Sequence, residues 1–65
     1  MKSHKIYEYN ILRKICIDLK NDIFVLTAQK GDPGLISHLK ETYSDIRESA
    51  RQLERELGME PSKLI

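Results

Sequence analysis

The residues whose types and spacing could do chemistry in this chain are first of all carboxylates. Asp18 and Asp22 lie four apart, and Glu41 and Asp45 repeat that spacing in the second half. Four residues are about one helical turn, so each pair shares a helix face. Folded back as an antiparallel hairpin, the chain brings both pairs to about the same level, with Glu8 and Glu56 nearer the open end. A cluster of this kind could hold a divalent cation, which takes several oxygen ligands. Nothing apolar encloses these positions, however, and carboxylates on the back of a helix are ordinarily solvated charges. No metal or other cofactor is assigned.

Other catalytic arrangements fail on spacing. His4 and His38 fall at opposite ends of a hairpin, roughly 30 Å apart by helical rise, so they cannot share a zinc ion. Cys16 is the single cysteine; it excludes an intramolecular disulfide and suits a reducing compartment. With no basic residue in register to lower its pKa, it is expected to be an inert core residue. Gly31 and Gly34 bracket a proline turn with no Lys-Ser/Thr after it, so there is no phosphate loop. No catalytic residue is assigned.

Basic residues carry more. Arg13 and Lys20 share an edge with Lys40 and Arg47 when the halves pair antiparallel, and Lys14 lies just behind. Such a strip could track phosphates or steer an acidic protein partner. Arg13 is also placed to reach Glu54, and Glu48, Arg51 and Glu54 make i,i+3 pairs that support a helix. The whole chain, with eleven Lys/Arg against ten Asp/Glu and a net charge of +1, has no global field that would call for nucleic acid or membrane.

Two elements must position these residues. Asp32-Pro33 reads as an N-cap followed by proline at N1, where its missing N–H costs nothing. From there Ile36, Leu39, Tyr43, Ile46, Ala50, Leu53 and Leu57 repeat at alternating three and four, an a/d heptad seam. Gly58 closes it and Pro61 prevents resumption. Upstream, Tyr9, Leu12, Cys16, Leu19, Ile23 and Leu26 form a second seam in phase throughout. Ser3 is a candidate N-cap for this helix. A competing reading makes Ile23 to Ala28 a strand on β-propensity, but it has no partner strand. Gly31 suits the left-handed residue that ends the first helix.

The predicted fold is all-α: residues 1–65 form one helical-hairpin domain, with helices over about 4–29 and 33–57, a turn at 30–33 and a tail at 58–65. The tail is expected to be loose unless Leu64 and Ile65 dock. Ile11, Ile15 and Val25 widen the apolar face of the first helix beyond its seam, and Ile17 and Phe24 lie on the far side. A solvated helix would not carry them. Self-association into a homodimeric four-helix bundle is the expected remedy, and an unidentified partner protein the rival. The longest apolar run, Ile23 to Leu26, is far too short to cross a bilayer and no signal segment follows Met1, so a cytoplasmic chain without a membrane partner is expected.

The size and predicted topology resemble the helical-hairpin plasmid copy-number regulators that bind RNA, and the small sporulation phosphatases of response regulators. No residue pattern beyond the heptads carries the first likeness. Ser44-Asp45-Ile46-Arg47-Glu48 departs from the Ser-Gln-Glu-Leu-Asp of the second at almost every position, and architecture alone is weak warrant for function. Neither family is assigned. The expected function is a non-enzymatic regulator or adaptor acting through protein–protein contacts, with Ile17, Phe24 and the basic edge of Arg13, Lys14, Lys20, Lys40 and Arg47 as the contact surface. The alternative is RNA or DNA binding along that edge, and the third reading is an aspartyl-phosphatase-like regulator.

Overall fold

The computed structural model describes residues 2–65, with side chains from His4 onward. Two helices, α1 (Lys2–Ala28) and α2 (Pro33–Leu57), pack against one another as a hairpin. Its 43 × 17 × 15 Å dimensions are those of one helix length and two helix widths. α1 runs without a break through Ile23–Ala28, so the in-phase seam prevails there over β-propensity. It already includes Ser3; that residue does not precede the helix as a cap, and its side chain lies outside the described residues.

The turn departs from expectation at one residue. The left-handed conformation falls on Lys30, φ 55, and not on Gly31. Lys30 N–H donates to Thr27 O at 3.2 Å and Gly31 N–H to Leu26 O at 2.8 Å, which together make a Schellman closure one residue earlier than the glycine suggests. Gly31 lies close to the helix it leaves: a Cβ there would sit 3.3 Å from Leu26 O and 3.2 Å from Leu26 Cδ2, so Leu26 would have to give by a few tenths of an ångström. α2 opens as its sequence dictates. Asp32 Oδ1 accepts the Gly34 N–H at 3.1 Å, and Pro33 takes the first helical position. α2 ends in a second Schellman closure on Gly58, φ 68, with Met59 N–H donating to Glu54 O at 2.8 Å.

Every seam position of both helices is buried or half-buried. The buried apolar residues among those described are Tyr9, Cys16, Ala50, Leu53 and Ile65, packed as one cluster. Leu12, Ile17, Tyr43, Ile46 and Leu57 flank it. Two helices alone leave a seam open on either side; where residues 59–65 add a third layer, the core closes. The tail is thus docked through Ile65, whereas Leu64 remains exposed.

Candidate functional site

The open end of the hairpin holds a buried polar cluster that no spacing rule anticipates. Glu54 is 2% exposed, a burial that a carboxylate tolerates only when its lone pairs are satisfied. Tyr9 on α1 donates its hydroxyl to Glu54 Oε2 at 2.6 Å. Arg51, one turn back on α2, donates Nη1 to both carboxylate oxygens, at 2.9 and 3.1 Å. The backbone N–H of Ser62 completes the set at 2.8 Å. The other arm of the Arg51 guanidinium reaches the segment after α2, donating Nη2 to Ser62 O at 3.1 Å and to Ile65 O at 2.7 Å. One carboxylate and one guanidinium therefore join both helices and the following segment.

The electrostatics follow from these contacts. Burial is the largest single influence on Glu54 and pushes its pKa up, but the bonds from Tyr9, Arg51 and Ser62, with the Arg51 charge, together hold it below the ordinary 4.5. Burial likewise raises the Tyr9 phenol above 10.0, with the Glu54 hydrogen bond and charge adding to it and Arg13 and Arg51 opposing. Burial raises the Cys16 thiol above 9.0 despite Arg47 and Arg51 nearby. Basic residues do lie within electrostatic reach of Cys16, contrary to the register argument, yet desolvation outweighs them and the thiol stays protonated at neutral pH. Four donor contacts fall on the Glu54 carboxylate, three on Oε2 and one on Oε1.

The residues singled out by spacing lie elsewhere. Lys14, Lys20, Lys40 and Arg47 are exposed and Arg13 is half-buried, and none forms an ion pair among the described residues. Arg13 is not the partner of Glu54; Arg51 is, because the i,i+3 geometry on one helix needs no reach across the hairpin. Ile17 is not on the far side: it is half-buried and packs against the core cluster. Phe24 does face outward, 72% exposed. The acidic edge forms an open groove lined by Glu8, Leu12, Asp45, Glu48, Gln52 and Leu53. Its carboxylates do not converge: no group of three potential ligands is close enough to hold a metal ion among the described residues, and Glu56 instead pairs with Lys5 at 3.4 Å.

Exposed apolar side chains are distributed unequally. α1 exposes Ile6, Tyr7, Ile11, Ile15, Phe24 and Val25, whereas Leu35 is the one large apolar side chain that α2 exposes. No helix among the described residues is long and apolar enough to cross a membrane. The chain matches no protein-family model, no characterised protein and no solved structure.

Proposed function

We propose that this protein is a non-enzymatic binding module, a regulator or adaptor, that works through the outward face of α1, and that the first occupant of that face is a second copy of the chain. The observation that carries the reading is the asymmetry just described. α2 is a clean amphipathic helix whose apolar face α1 consumes, while α1 keeps six large apolar side chains in water.

Charge suggests how two copies meet. Ile11, Ile15, Asp18, Asp22 and Val25 succeed one another at four, three, four and three along one side of the α1 back. Ile6, Arg13, Ile17, Lys20 and Phe24 run along the other, with Ile17 tucked toward the core. One line is apolar and acidic, the other apolar and basic. In parallel helix pairs opposite flanks meet, and in antiparallel pairs like flanks meet. Back-to-back packing of α1 on a parallel copy thus sets Asp18 and Asp22 near Lys20 of the copy, with the exposed Asn10, Lys14 and Asn21 on the line between the two flanks. Phe24, Ile11 and Val25 supply the apolar anchors.

Phe24→Glu is the direct test: it should weaken association, so that helical circular dichroism falls at low chain concentration with a smaller species on size exclusion, and returns as concentration rises. Unchanged elution of a folded variant contradicts the proposal. A second reading is favoured by the basic edge of Arg13, Lys14, Lys20, Lys40 and Arg47, none of which forms an ion pair among the described residues. Nucleic-acid binding along them would weaken steeply with salt, whereas an apolar protein contact changes little.

A further inference from the structure

Residues 59–65 lie against the open end of the hairpin, and little holds them. Beyond the Met59 N–H that closes α2, none of them bonds the backbone of either helix among the described residues. Three contacts from two side chains remain: Ser62 N–H to Glu54, and the Ser62 and Ile65 carbonyls to Arg51. Ile65 is the sole apolar anchor, while Met59, Pro61, Lys63 and Leu64 stay exposed. Tyr9 from α1 and Arg51 from α2 bond the Glu54 carboxylate alongside the Ser62 N–H. This seat reads backbone groups and one aliphatic side chain, and is indifferent to the rest. Gly58 stands at its base, left-handed, with no atom within 4 Å of where a Cβ would be.

We propose that Tyr9, Arg51 and Glu54, beside the buried cluster, form a peptide-binding seat and that residues 59–65 occupy it as a releasable strap. The ligand class is a short segment that presents a free N–H and two carbonyls, with an aliphatic side chain three residues beyond the N–H. Such a segment, offered by another protein, competes with the strap, and the strap in place is autoinhibitory. The two units are energetically separable: the hairpin rests on thirteen seam positions along both helices, the strap on two polar side chains and one aliphatic anchor. Local opening at a lower free energy than global unfolding is expected of such a segment.

The test uses the full chain carrying Ser62→Pro and Ile65→Asp, which removes the N–H and the anchor but touches neither helix. This variant should keep its helical circular dichroism and bind a synthetic Gly58–Ile65 peptide saturably, with shifts in the Tyr9 ring resonances. The unsubstituted chain should need at least about tenfold more peptide, because its own strap competes at an effective concentration of about millimolar. Adding Arg51→Lys, which keeps a cation for Glu54 but loses the second arm that reaches the Ser62 and Ile65 carbonyls, should weaken binding at least about tenfold with helical circular dichroism unchanged. In the unsubstituted chain the Ser62 amide should exchange with solvent at least about tenfold faster than that of Leu53. A helical variant that binds no peptide overturns the proposal. So does a variant that loses its helices, or equal protection of the Ser62 and Leu53 amides, since either makes the segment part of the core.

Discussion

Glu54 is the residue on which the open end depends. A buried carboxylate that loses its cation is left uncompensated, and breaking such a pair costs about 3–5 kcal/mol. Arg51→Ala should therefore destabilise by that order in urea titrations. Tyr9→Phe removes one hydrogen bond to a charged group and should cost about 1.5–3 kcal/mol. The pH dependence follows in sign. The Glu54 pKa is lower folded than its ordinary 4.5, so its contribution is complete above that value and disappears as pH falls through the folded one. Tyr9 has the opposite sense: raised above 10.0, it contributes fully below pH 10.0 and loses that as pH climbs through its folded value. Urea midpoints should be flat with respect to this pair across neutral pH and should fall below pH 4.5; Glu54→Gln should flatten part of the acid limb. The pairing was not legible in the sequence, because a glutamate one position off a heptad seam reads as a solvated charge. Its burial comes from a segment that returns across the helix end after Gly58, and a helical wheel contains no information about a third layer. Arg51 with Glu54 was legible as an i,i+3 pair, though not its depth.

The elements themselves were largely written in the chain. Two in-phase seams of alternating threes and fours specify two helices, and Asp32-Pro33 and Gly58 mark ends that the structure reproduces. A strand over Ile23–Ala28 fails because its residues continue the α1 seam and no second strand exists among the described residues to pair with it. The first turn was misplaced by one residue for a local reason. Gly31 suits left-handed backbone by its type, yet Lys30 takes that conformation and Gly31 instead lies close against Leu26. A side chain in that conformation costs about 1–2 kcal/mol, so Lys30→Gly should raise the unfolding free energy by about 1 kcal/mol. Asp32→Ala, removing the cap, should lower it by about 0.5–2 kcal/mol. Both are read from thermal or urea unfolding at fixed chain concentration. Ile17 shows the limit of wheel reasoning: its position one residue after Cys16 places it at the seam border, and the packing draws it inward.

At the scale of the whole molecule, the hairpin is an incomplete solution to burial. Among the described residues five apolar side chains are buried, and chains of this size have little stability to spare. Covering the α1 face removes several large side chains from water, each worth about 1.5–3 kcal/mol when fully buried, against an association cost of about 4–15 kcal/mol. Only simultaneous coverage of most of them suffices, so folding and association should be one transition. Leu19→Ala or Ile46→Ala, each opening space in the seam, should lower the melting temperature at every concentration; about 2–5 kcal/mol is the range for such truncations, and the half-buried positions belong toward its lower end. The parallel arrangement has its own signature. Tyr7→Cys should form a disulfide between equivalent positions under mild oxidation, which an antiparallel pair would hold far apart. The measurement that bears most directly on the central claim is sedimentation equilibrium across micromolar concentrations, paired with thermal melts on the same samples. A dimer whose melting temperature rises with chain concentration is the predicted result; a folded monomer with a concentration-independent melt would contradict it.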